Sequence, residues 1–75
     1  MDGSEARDRY LDFLMARVRA DRYPSAGQLN RIEDVLPPER LGEYLDLLFE
    51  KLEDSRFPSV PLLDRIERLA TPSRS

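Results

Sequence analysis

Cysteine, histidine and tryptophan are all missing from this chain of 75 residues. Without Cys or His there is no disulfide framework, zinc finger, Ser-His-Asp triad or Cys-His dyad. Glycine is scarce, and Gly3, Gly27 and Gly42 stand apart, so no glycine-rich phosphate loop is present. Dimetal sites in helical bundles rely on Glu-x-x-His, which the lack of histidine removes. No metal and no cofactor is therefore expected. Carboxylates are the remaining acid–base candidates, and a chain this short leaves little room for a pocket of ~300 Å³. The expectation is a protein that is not an enzyme.

Long apolar runs are missing as well. None approaches the ~20 residues of a membrane span. The opening Met1-Asp2-Gly3-Ser4-Glu5 is acidic and polar, unlike a secretory signal. No membrane contact and a cytoplasmic location are expected. Twelve basic residues face fifteen acidic ones, for a net charge of −3, which makes nucleic acid an unfavoured partner. Lys51 is the single lysine. That bias fits a GC-rich bacterial or bacteriophage source; the sharper alternative is a surface that grips carboxylate or phosphate bidentately.

What is present is a repeat. Residues 10–36 read YLDFLMARVRADRYPSAGQLNRIEDVL, and 34 positions later residues 44–70 read YLDLLFEKLEDSRFPSVPLLDRIERLA. Tyr10/Tyr44, Leu14/Leu48, Arg22/Arg56, Pro24/Pro58, Ser25/Ser59 and Ile32/Ile66 are among the identical pairs, and no gap is needed. One domain covering residues 1–75 is expected, with unit 1 over about 5–36, unit 2 over about 38–70 and a frayed tail over 71–75. Neither unit can hold a core alone, and the whole small scaffold supplies only about 3–5 kcal/mol.

Each unit reads as two helices around a sharp corner. Ser4 can cap the first helix, whose Tyr10, Leu11, Leu14 and Val18 share one face. The helix must stop near Arg22, because Tyr23 precedes Pro24 and is pushed from the α region. Ser25 caps the second helix, and Gln28 completes a capping-box pattern. Leu29, Ile32, Val35 and Leu36 form its apolar side, ahead of Pro37-Pro38. In the second unit Pro38 can open a helix bearing Leu41, Tyr44, Leu45, Leu48 and Leu52. Phe57-Pro58-Ser59 repeats the corner, and the last helix carries Leu63, Ile66, Leu69 and Ala70, with Pro61 tolerated in its first turn. No segment alternates with period two. The predicted fold is all-α, four helices as two tandem αα-hairpins from a duplication of ~34 residues, packed as a small bundle.

The first helix of each unit is apolar over too wide an arc. Its main stripe spans about 100°, and Phe13 on one flank with Met15 on the other widens this to roughly 200°. Leu47 and Phe49 do the same in the third helix. Either both helices are central and the width is core, or one flank docks another chain. On the second alternative Phe13, Met15, Leu47 and Phe49 are the contact residues, with Arg22 and Arg56 at the rim. The repeated corner Arg-aromatic-Pro-Ser has a structural account too: the aromatic folds back over the hairpin, and arginine suits the helix C-terminus. The unchanged pairs Asp12/Asp46, Arg31/Arg65 and Glu33/Glu67 fit recent duplication or ion pairs between helices.

The period is shared with tetratricopeptide repeats, but their Trp…Leu-Gly…Tyr signature is missing and two units are too few for a solenoid. A DNA-binding helix-turn-helix would send Gln28, Asn30 and Arg31 into a major groove. Glu33 and Asp34 on the same helix oppose a phosphate backbone. The expectation is a helical module that binds a protein partner or forms a homodimer, with the DNA-binding regulator as the alternative.

Overall fold

The structure is a computed structural model that describes residues 1–54 and 60–71. Among these, four α-helices and a short 3-10 turn appear in the order α1 (Gly3–Ala20), α2 (Ala26–Val35), the turn Pro38–Arg40, α3 (Leu41–Asp54) and α4 (Val60–Ala70), with no strand. The fold class is all-α.

α1 starts earlier than Ser4 would place it. Asp2 is the cap, its Oδ1 accepting the Glu5 backbone N–H at 2.8 Å. A carboxylate caps the orphan N–H and also faces the positive end of the helix dipole, so Asp2 outcompetes the serine two residues on. The helix closes at Ala20. There the Asp21 N–H reaches the Arg17 and Val18 carbonyls at 3.0 and 3.2 Å, with Arg17 and Arg19 in the final turn.

α2 begins as its sequence spells. The Ser25 Oγ accepts the Gln28 N–H at 3.2 Å, and the Gln28 Oε1 accepts the Ser25 N–H at 2.8 Å, which completes a capping box. The other end of the Gln28 amide donates to Asp21 Oδ2 at 3.0 Å. One side chain thus ties the start of α2 to the end of α1. Pro38 does not open α3 directly: it heads a 3-10 turn in which the Arg40 N–H donates to the Pro37 carbonyl at 3.0 Å. Pro61 falls in the first turn of α4, where its missing N–H is harmless. The corner Phe57-Pro58-Ser59, the Ser59 cap and tail residues 72–75 lie outside the described residues.

The chain divides into two compact units, Met1–Arg40 and Leu41–Ser75. In the first, α1 lies against α2. Its buried residues are Leu11, Leu14, Met15 and Val18 from α1, with Leu29 and Ile32 from α2. Positions i, i+3, i+4 and i+7 give an apolar arc of about 100°. The expected stripe is therefore rotated: Tyr10 leaves it, 41% exposed, and Met15 enters it. Arg40 closes this unit, its Nη2 meeting Asp12 Oδ1 at 2.6 Å and its Nη1 meeting Asp8 Oδ1 at 3.6 Å. In the second unit α3 lies against α4. Tyr44, Leu47 and Leu48 are buried on α3 and Ile66 on α4. The α4 stripe also shifts by one residue, since Leu63 is exposed while Leu62 is half-buried beside Ile66 and Leu69. No polar or charged residue among those described is buried, and no buried side-chain polar atom lacks a hydrogen-bond partner.

Candidate interaction surface

The wide arcs of α1 and α3 are split between core and surface. Met15 and Leu47 are 6% and 0% exposed. Both lie in the buried interior rather than on the surface where contact residues are expected. Phe13 and Phe49 are 59% and 43% exposed. At ~100° per residue, Phe13 lies about 100° past Leu14, the edge of the buried face of α1. Phe49 lies the same angle past Leu48 on α3. Each ring is thus one residue step outside its helix's buried face.

Positions that match in the repeat are not buried alike. Tyr10 and Phe13 are exposed, whereas their equivalents Tyr44 and Leu47 are completely buried. Met15 is buried, while its equivalent Phe49 is exposed. Leu14 and Leu48 are buried in both units. The buried face of α3 is accordingly rotated by roughly 100° about the helix axis relative to that of α1. The sequence leaves this illegible, because every one of these positions carries an apolar side chain in both segments.

The corner residue Arg22 is exposed, and its guanidinium carbon stands 6.0 Å from the centroid of the Tyr23 ring. Tyr23 does not fold back over the hairpin: it is 80% exposed. Proline after it holds its backbone extended, and the apolar interior is already filled by α1 and α2 side chains. Arg56 lies outside the described residues.

A further surface feature joins Phe13. Gly3, Ala6, Tyr10, Phe13, Arg17 and Ala20 are spaced three and four residues apart by turns, and all are exposed. They form a second stripe on α1, outside the buried one. Its signal in the sequence is a 3-4-3-4-3 spacing, which shares Tyr10 with the apolar stripe of Leu11, Leu14 and Val18. Two aromatic rings one turn apart, flanked by small residues and an arginine, can make apolar contact with a facing surface. They supply no acid–base pair and no nucleophile.

Among the described residues no group of acidic side chains could hold a metal ion, and no helix is long and apolar enough to cross a membrane. The class that this fold and surface define is a small all-helical chain with aromatic side chains set on the outer faces of its helices. The chain matches no protein-family model, and no curated protein and no solved structure matches it.

Proposed function

We propose that this chain is a small non-enzymatic protein–protein interaction module, an adaptor, regulator or accessory protein of the cytoplasm. The observation that carries this reading is Phe13, 59% exposed in the middle of α1 with Tyr10 beside it one turn away. Burying such rings against a partner gains roughly 25 cal/mol per Å² of apolar surface removed from water. Single exposed apolar residues are ordinary, whereas neighbouring aromatics on one helix face mark a contact surface. Phe49 on α3 is an exposed ring that offers a contact point of its own in the second unit, and Arg22 is an exposed cation in the first.

We also infer that the chain arose by duplication of one helical hairpin. The contacts of α1 with α2 and of α3 with α4 support this, as does the division after Arg40. The repeat register runs further than residue 70, because Pro38 and Arg40 recur as Pro72 and Arg74. Asp12, which Arg40 grips, recurs as Asp46.

The test is the pair Phe13→Asp and Phe49→Asp in one chain. Because both rings are exposed, helicity by circular dichroism stays at the wild-type level. Affinity capture from the native host then shows loss of a bound protein, or light scattering shows loss of self-association. A folded double variant that keeps its mass and every partner overturns the reading. A mobility-shift assay at ~50 mM salt, where phosphate contacts are strongest, is expected to be blank. A shifted band there would favour the helix-turn-helix alternative instead.

A further inference from the structure

We infer that the outer face of α1 is a docking site for an acidic amphipathic helix of a partner protein. The partner's apolar stripe covers Tyr10 and Phe13, and its carboxylates meet Arg7, Arg9 and Arg17. The inference deepens the interaction reading and rests on it, naming the chemistry of the partner.

The charge around the two rings points to that chemistry. Neighbours on a helix surface stand three and four positions apart. At that spacing the charged neighbours of Tyr10 and Phe13 are Arg7, Arg9 and Arg17, with no carboxylate among them. All three arginines are exposed, and none makes an ion pair among the described residues. The carboxylates of α1 lie elsewhere. Asp8 and Asp12 face the other side and are held by Arg40. Glu5, seven residues before Asp12, falls within about 20° of it and shares that side. Asp2 stands about two turns before Tyr10, with its Oδ1 engaged by the Glu5 N–H. The face is therefore cationic, on a chain whose net charge is −3.

The second unit supplies a contrast. Thirty-four positions further on, Tyr44 and Leu47 are fully buried, and the residues matching Arg7 and Arg9 are Leu41 and Glu43. Arginine flanks these two positions on both sides where they are open to water, and not where they are covered.

The backbone decides the form of the occupant. α1 is helical over its whole length and offers no open strand edge, so a partner binds through side chains alone. Arg7 to Arg17 extends about 15 Å along the axis, the length of roughly three turns of a facing helix. Such a helix lays apolar side chains on the rings while its Asp and Glu reach guanidinium groups, which take carboxylates bidentately. A nucleic acid fits less well, because its phosphates continue past the three arginines onto a chain of net negative charge.

With two rings and three cations in play, the dissociation constant is on the order of 10–100 μM. The probe is a displayed library of random peptides of ~16 residues, about four helical turns, selected on the full chain. Selected peptides, titrated by fluorescence anisotropy, should be net negative with apolar residues at helical spacing. Phe13→Asp should weaken their binding at least tenfold, with circular dichroism unchanged. Arg9→Glu combined with Arg17→Glu should do the same, and exchanging the peptide's acids for lysine should restore affinity for that variant to within a few-fold. Tyr10→Ser gives a second route to the face should Phe13→Asp lose helicity. Phe49→Asp should leave peptide affinity intact.

An empty selection, peptides without an acidic excess, binding indifferent to Phe13→Asp and Tyr10→Ser, or a charge exchange that fails to restore affinity each overturns the inference. Oligothymidylate binding that Phe13→Asp abolishes would make the occupant a nucleic acid, and a dimer that Phe13→Asp dissociates would make it a second copy; either overturns the acidic helix. A captured native protein that is lost on Phe13→Asp, but binds through no acidic segment, overturns this inference and leaves the interaction reading standing. If neither peptides nor captured proteins respond to the double variant Phe13→Asp and Phe49→Asp, both fail.

Discussion

Met15 and Phe13 stand two residues apart on α1 and do opposite things. Met15 lies inside the buried arc, where a flexible thioether fills irregular space. Phe13 projects into solvent. Met15→Ala should therefore cost about 2–5 kcal/mol, since it removes transfer energy and leaves a cavity. Against a total of only about 3–5 kcal/mol for a scaffold of this size, that loss removes much or all of the stability. Phe13→Ala should change stability by about 0.5 kcal/mol or less, because an exposed site loses little packing and alanine is the better helix former. Urea titrations followed by circular dichroism separate the two. Equal midpoints for the variants would show that the face of α1 has been misassigned. Sequence could not make this distinction. Both side chains flank the stripe Leu11, Leu14 and Val18, and the packing partner decides which flank is covered.

At the scale of elements, the boundaries were legible where local chemistry sets them and illegible where distant residues do. Ser25 and Gln28 announced the start of α2 because a capping box is complete within four residues. Tyr23-Pro24 and Pro37-Pro38 announced the breaks, since proline restricts the residue before it. The start of α1 was misread because Asp2 and Ser4 are both good caps and the choice depends on backbone geometry. The clasp of Arg40 on Asp12 spans 28 positions, and no local pattern signals it. It holds the turn Pro38–Arg40 against the middle of α1, with the arginine side chain largely covered and both carboxylates open to water. Pairs of this kind contribute about 1 kcal/mol or less, and added salt weakens them. Arg40→Ala, Asp12→Ala and the double variant should give a coupling energy of about 0.5–1 kcal/mol that falls in 1 M salt. Strictly additive single and double effects would mean that the contact contributes nothing. The repeated Asp12/Asp46 pair was conspicuous in the sequence, but its partner in the first unit became visible only in the folded chain.

For the whole molecule, the absence of histidine shapes the response to pH. Histidine is the side chain whose ordinary pKa falls between pH 5 and 8, and this chain has none. Stability varies with pH in proportion to the difference in protons bound by the unfolded and folded states. With no histidine to titrate, that difference stays near zero across the neutral range. Urea midpoints should therefore be flat from pH 6 to 8. A clear step in that interval would require a displaced carboxylate or amine and would contradict the absence of buried charge among the described residues. Colloidal behaviour should follow a different curve. The net charge of −3 at pH 7 shrinks to zero near the isoelectric point of about 4.9. Mutual repulsion then vanishes and non-specific association peaks. Light scattering should rise as the pH is lowered toward that value and fall again below it, where the chain becomes cationic.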